Sequence, residues 1–314
     1  MHHLFLTLTL SLMMIQFIRQ PTNRYHATHP FNATFSPHKK TRVRIFLCGA
    51  AYFAAAADAM MAARDTIMIA DWFFSCEVYL KRAKGHPLAA EWRLDNLLQR
   101  KAREGVKVYI LIWKDLMTNC GSQIAKKRME ALHDNIHVIL HRAPMQKSVM
   151  MWTHHQKFVC VDQAIAFVGG IDLAYGRFDT PSHPLLDVPV NGCTLFPGMD
   201  YTNPQIDGGG RSEEGVLRPF HDLLDRKTQP RMPWQDIHCC INGEAARDVS
   251  LNFVQRWNEH RAVMQLRPLP IWPTIHTATW DFPHGWDDAQ VQVLRSLSGW
   301  RYVLYASSPF HLYL

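Results

Sequence analysis

Several absences narrow what this chain can be. No apolar stretch near the N-terminus is long enough to span a bilayer: residues 4–18 are apolar apart from Thr, Ser and one Gln, short of the roughly 20 residues a spanning helix requires. The seven cysteines (Cys48, Cys76, Cys120, Cys160, Cys193, Cys239 and Cys240) are odd in number and irregular in spacing. That usage argues against a disulfide framework and for a reducing compartment. Long runs of like charge are also missing. The excess of 34 Lys and Arg over 27 Asp and Glu, a net +7, is dispersed, so it points only weakly to an anionic partner such as a phospholipid surface or nucleic acid.

Familiar ligand patterns are missing too. Cys239-Cys240 with His238 has no second ligand pair, which leaves a small buried or half-buried element rather than a zinc site. Gly208-Gly209-Gly210-Arg211-Ser212 lacks the Lys-Ser/Thr and the preceding strand of a phosphate loop and reads as a turn. His133, His137 and His141 recur every four residues, but Ile136-His137-Val138-Ile139-Leu140 is strand-like, so the three are expected to scatter over the surface.

What is present suits a folded protein. At 314 residues, 47% hydrophobic and 19% charged, the chain can bury a sizeable core in one large or two ordinary domains. Residues 1–40 form an atypical N-terminal segment. Its apolar stretch resembles the core of a secretory signal, yet no Lys or Arg precedes it and no small-residue cleavage site follows. Asn32-Ala33-Thr34 would accept a glycan only if this end were lumenal. A signal, an anchor and a misassigned start all remain open.

Regular α/β alternation begins near residue 42. Short strands are expected over residues 42–47, 66–72, 106–113 and 136–140, with helices over 52–64, 88–104 and 124–132; Gly105 is a helix stop. A hairpin follows, with strands over residues 157–161 and 164–168 about a turn at Asp162-Gln163. The fold class is therefore α/β, a mixed and largely parallel sheet flanked by helices. Residues 180–210 are rich in Pro, Gly, Asn and Asp and read as an extended loop over the sheet, within a long loop 180–235 of a length that is usually either functional or disordered. An amphipathic helix over 245–257 presents Val249, Phe253 and Trp257 on one side. A Pro-rich linker at 266–273 leads to a segment near Val291 that looks like the first strand of another unit.

Chemistry concentrates in Trp152-Thr153-His154-His155-Gln156-Lys157-Phe158-Val159-Cys160-Val161-Asp162, followed by Gly169-Gly170-Ile171-Asp172. His155, Lys157 and Asp162 have the spacing H-x-K-x-x-x-x-D. Residues two apart in a strand share a face, so a nucleophile and a cation would project side by side while Phe158 and Cys160 pack behind them. Alone, such a triplet arises by chance in on the order of a few per cent of chains this long.

Its flanks make it specific. Ala51-Tyr52-Phe53, Ala70-Asp71-Trp72-Phe73-Phe74-Ser75, Trp92-Arg93-Leu94-Asp95, His154-His155-Gln156-Lys157, Gly169-Gly170-Ile171-Asp172-Leu173-Ala174-Tyr175-Gly176-Arg177, Pro230-Arg231-Met232-Pro233-Trp234-Gln235-Asp236 and Gln255-Arg256-Trp257-Asn258 together resemble the N-terminal half of the catalytic region of a eukaryotic phospholipase D, over roughly residues 42–300. The resemblance implies an α-β-α sandwich: one catalytic repeat of two over 41–265, then a linker and the truncated start of the second over 266–314. It implies hydrolysis of phosphatidylcholine to phosphatidic acid and choline. In the family it resembles, two motif copies meet across a pseudo-twofold axis; one histidine attacks phosphorus to give a phosphohistidine, and the other protonates the leaving alcohol and then activates water.

Carried onto this sequence, His155 is the nucleophile or its acid/base counterpart, Lys157 binds a non-bridging oxygen, and Asp162 fixes the hairpin and orients the site. Gly170 and Asp172 are substrate-proximal candidates. No cofactor and no metal are implied. The expected partner is a phospholipid membrane; phosphoinositide activation and homodimerisation are compatible, and nucleic acid is not expected. The chain should be cytoplasmic and peripheral on membranes, with a secretory or anchored N-terminus left open. Phe73 and Phe74 are candidates for touching the bilayer.

A second H-x-K-x-x-x-x-D does not occur, and residues 301–314 depart from the family. Three readings follow: an incomplete phospholipase D, a homodimeric single-motif phosphodiesterase in which twofold symmetry supplies the missing histidine, or a non-catalytic lipid-binding product.

Overall fold

The computed structural model describes residues 13–18, 35–114, 121–141, 154–207, 218–264, 269 and 286–295. The residue 32–34 triplet, Cys120, Trp152, the 208–212 turn, most of the 266–273 linker and everything beyond Arg295 lie outside them.

A nine-stranded sheet organises these residues, in the order β1-β9-β2-β8-β7-β6-β3-β4-β5. Its strands are β1 (Met13–Ile18), β2 (His38–Phe46), β3 (Thr66–Asp71), β4 (Lys107–Trp113), β5 (Ile136–His141), β6 (Phe158–Val161), β7 (Ile165–Gly169), β8 (His238–Asn242) and β9 (Asp287–Arg295). Helices α1 (Gly49–Met61), α2 (Leu94–Arg103) and α3 (Ser122–Glu130) cover one face. A single turn, α4 (Pro204–Asp207), sits in the long loop, and α5 (Gly243–Met264) covers the other face.

The α/β class expected from the alternation is present, but the balance of strand directions differs. Among the described strands only β3–β4 and β4–β5 are parallel; the other six pairings are antiparallel. Parallel neighbours need a crossover, and crossover helices between adjacent strands occur only where α2 and α3 join β3, β4 and β5. Elsewhere the β6–β7 hairpin enters the sheet, and β8 and β2 extend it antiparallel. The hairpin turns on Asp162 and Gln163, at φ 51° and 55°, the doubly left-handed geometry that matches strand twist.

Strand β8 was hidden in the sequence. His238-Cys239-Cys240-Ile241 is buried on both faces, so it shows no alternation. Helix α2 starts at Leu94 rather than near residue 88 because Arg93 is extended (ψ 130°) and the Leu94 N–H is held by the Val78 carbonyl. The strand expected near Val291 runs from Asp287 and lies in this same sheet between β1 and β2.

Two cores result. Tyr52, Phe53, Leu97, Leu98, Met129, Val159 and Phe167 join α1–α3 to the sheet. Val249, Phe253 and Trp257, the expected stripe of α5, pack on Phe158, Cys160, Ala166 and Cys239. His141 departs from the surface expectation: it is buried, stacks on His154 at 5.0 Å and lies 2.9 Å from an Arg256 nitrogen. The six described cysteines are free. No helix among the described residues is long and apolar enough to cross a membrane.

The described parts of the 180–235 loop form an ordered layer. Guanidinium–carboxylate pairs fasten it: the buried Arg231 to Asp179 at 3.0 Å and Arg82 to Asp200 at 2.7 Å, and the half-buried Arg226 to Asp187 at 3.2 Å. Each pair satisfies charges that would be costly to bury alone.

Candidate active site

The open end of the β6–β7 hairpin lies where β3, β4 and β7 finish, and it gathers the charged groups. His155 and Lys157 enter β6 two residues apart, while Phe158 and Cys160 face α5 as the pleat requires. Lys157 Nζ is 3.4 Å from His155 Nδ1 and donates to the His155 carbonyl at 3.4 Å. It is also 3.3 Å from Asp172 Oδ1. That carboxylate oxygen accepts the Trp72 and Phe73 backbone N–H groups at 2.9 and 3.1 Å, and the other lies 3.9 Å from Arg177 Nε. The Trp72 ring forms a wall 4.6 Å from the His155 ring.

Electrostatics follow from burial. Desolvation, then the Lys157 and Arg177 charges, lower His155 to about 4 against the opposing pull of Asp172, which favours the uncharged imidazole at neutral pH. Desolvation also lowers Lys157, opposed by Asp172 and Asp71. Burial pushes Asp71 well above the ordinary carboxylate range, with the Asp172 charge adding to it. Two acids thus compete for one ammonium, and the Leu173 N–H, 3.3 Å from Asp71 Oδ2, offsets only part of the strain.

The segment entering β8 completes the site. The Gly170 N–H donates to the Ile237 carbonyl at 2.9 Å, and the Ile171 N–H donates to His238 Nδ1 at 3.4 Å. A Cβ on Gly170 would run into the Asp236 carboxylate, and one on Gly169 into Ile237 and His238. Gly169 is therefore required for close backbone approach, whereas Gly170 makes room for the Asp236 side chain. His238 is buried, stacked on Tyr52 at 3.7 Å and lowered by desolvation to about 3. Burial raises Asp236, with Lys157 opposing. The Arg177 guanidinium lies on the Trp234 ring, 3.6 Å from its centroid.

The structure thus brings together His155, Lys157, Gly170 and Asp172. It does not bring Asp162 to them. Asp162 occupies the other end of the hairpin, roughly 15 Å away at about 3.3 Å per strand residue, where its carboxylate accepts the Arg64, Asp65 and Thr66 N–H groups at 2.8, 2.9 and 2.8 Å. Asp71, Arg177, Trp234, Asp236 and His238 border the site without having been singled out; all but His238 lie in the stretches that carry the family resemblance, which offered a signal without a role. Phe73 and Phe74 are buried rather than exposed to a bilayer.

Comparison with known proteins identifies the family. A family model described as Phospholipase D matches residues 59–303, and the chain belongs to that family. It is 44% identical over 252 residues to Phospholipase D A of Dictyostelium discoideum, covering 79% of this chain and 18% of that protein. It is 38% identical over 322 residues to Phospholipase D2 of Bos taurus, covering 94% of this chain and 34% of the relative. The chain therefore spans 18% and 34% of the length of these two relatives. Among solved structures, NucT from Helicobacter pylori superposes with a TM-score of 0.40 at 12% identity, over 69% of this chain and 96% of that one, a likeness too distant to carry an argument about the site.

Proposed function

We propose that this chain contributes one half of a phosphodiester-exchange centre that hydrolyses phosphatidylcholine to phosphatidic acid and choline. The observation that carries the reading is the His155 imidazole 3.4 Å from the buried Lys157 amine, in a chain of the phospholipase D family. An imidazole nitrogen of His155 attacks phosphorus; the P–O bond to choline breaks, and an acid group protonates the departing oxygen. The N–P bond of the phosphohistidine then breaks as water, losing its proton to the same group, attacks. Lys157 sits where it can offset charge on a non-bridging oxygen, and Asp172 holds that ammonium in place. In this role Asp162 anchors the hairpin and touches no reacting atom.

The motif occurs once in this sequence, so the second histidine must come from further polypeptide or from a second copy of the chain. Transphosphatidylation separates the readings: the purified chain is mixed with phosphatidylcholine vesicles and a primary alcohol, with His155→Ala as control. Phosphatidyl-alcohol formed by the unsubstituted chain alone supports a working covalent centre shared between copies. A folded chain that forms none is a half-centre that lacks its partner.

A further inference from the structure

The described 184–190 segment inverts the usual relation between polarity and burial. Leu185, Leu186 and Val188 are 57%, 50% and 68% exposed, whereas Asp187 between them is 6% exposed. The Asp187 carboxylate accepts the Phe196 and Leu195 N–H groups at 2.8 and 3.2 Å and pairs with Arg226 at 3.2 Å. The outward apolar side chains are therefore held outward by an inward anchor. The backbone is fixed as well: Arg231 donates to the Pro184 and Leu185 carbonyls at 2.8 and 3.0 Å. Val190 and Cys193 exchange two 2.9 Å bonds about Asn191-Gly192, which take up φ 52° and 74°. Apolar surface presented on a pre-ordered loop costs little further ordering when it is covered, and contiguous exposed patches of this kind mark interaction sites.

Charge and position say what covers it. Asp187 is the only carboxylate in residues 182–193, and it faces inward. The Val190 side chain abuts the turn at Gly85, whose carbonyl accepts from Asn191 Nδ2 at 3.4 Å, and exposed Lys84 and His86 flank that turn. The loop is also tied to the active site. Arg231 pairs with Asp179, Asp179 accepts the Trp234 N–H at 2.7 Å, and Trp234 carries Arg177 beside Asp172.

We infer that residues 184–190 are a membrane-docking loop that seats Leu185, Leu186 and Val188 in the interfacial region of a bilayer, with Lys84 meeting anionic headgroups, so that the site opens toward the lipid surface. This rests on the lipid-directed reading above. Apolar side chains at an interface with an adjacent cation give additive affinity and a preference for anionic lipid.

The test is sedimentation of the full chain with phosphatidylcholine vesicles, with and without phosphatidylserine, which needs no turnover. Binding should be stronger with phosphatidylserine. Leu186→Asp/Val188→Asp, with an unchanged thermal unfolding midpoint, should weaken it by roughly tenfold or more. Lys84→Glu should weaken it about fivefold, only on phosphatidylserine vesicles, and His155→Ala should leave it intact. Equal binding by the double variant, or an unsubstituted chain that ignores both vesicles and pairs with a protein instead, would overturn the inference. Vesicle binding without transphosphatidylation would sink the catalytic reading while leaving the docking loop standing; turnover of a soluble short-chain phosphodiester without vesicle binding would do the reverse.

Discussion

The two ends of the β6–β7 hairpin carry the three motif residues in opposite conditions. At the turn, Asp162 is buried with its carboxylate filled by three backbone N–H donors, the way a protein satisfies a buried anion. At the open end, Lys157 pairs with Asp172 near the buried Asp71, and desolvation lowers His155 beside it. Satisfied charge holds a fold together. Charge that burial leaves without a full set of donors is charge that can respond to a neighbouring group, and strongly shifted groups of this kind gather at functional sites.

Two substitutions break that comparison most directly. His155→Ala should lower phosphatidyl transfer by at least about 10³-fold, with denaturant unfolding unchanged to within about 0.5 kcal/mol. Asp162→Asn should do the opposite. The amide tolerates the left-handed turn but sets an NH₂ against a backbone N–H, so the chain should lose about 2 kcal/mol of stability. Residual transfer by the folded fraction should stay near that of the unsubstituted chain. An Asp162→Asn protein that unfolds normally yet fails to transfer would place Asp162 in the chemistry and erase the distinction.

How much of this was legible depended on how far the signal reached along the chain. The spacing of His155 and Lys157 and the hairpin about Asp162-Gln163 are local, and the pleat alone dictates which face they share. Asp172 was readable as a neighbour of the motif. Strand β8 was not, because burial on both faces removed the alternation that marks a half-exposed strand. Asp236 and His238 were equally hidden as site residues. They lie some eighty residues from the motif and reach Gly169 and Gly170 only because β8 pairs with β7. Directionality was over-read for a related reason: helices between strands predict parallel neighbours only when the strands they join are adjacent, as in β3–β4–β5.

A finer comparison sets two buried histidines against acid. An imidazole whose folded value lies below its unfolded value of about 6.5 stabilises the protein fully above that pH. The contribution is lost as pH falls, because the unfolded chain then takes up the proton first. For His238, lowered to about 3, the window runs from about pH 6.5 toward 3, with a slope of up to roughly 1.4 kcal/mol per pH unit. His238→Phe, which keeps an aromatic ring on Tyr52, should therefore be less stable than the unsubstituted chain at neutral pH, and the gap should shrink on acidification. Urea unfolding between pH 7 and 4 would show it, and a constant gap would mean that His238 is protonated in the fold. His155 should titrate by NMR at about 4, leaving transfer that depends on its neutral form intact well below pH 6.

The mildest break is one methyl group. Gly170→Ala places a Cβ against the Asp236 carboxylate, and Asp236 is tied to its own chain by the Ile237 N–H at 2.8 Å. Either Asp236 rotates away or the Gly170–Ile237 backbone bond lengthens, at a cost of about 1–2 kcal/mol. Because Lys157 and Asp236 interact electrostatically, displacing the carboxylate should also change how strongly the ammonium is held at the site. Pairing Gly170→Ala with Asp236→Ala makes the expectation specific: the smaller side chain leaves room for the new methyl, so the double variant should recover most of the stability that the alanine removes. If the two costs simply add, the contact between the β7 exit and the β8 entry is not what fixes Gly170, and the wall that Asp236 and Trp234 form beside Asp172 is held by the loop alone.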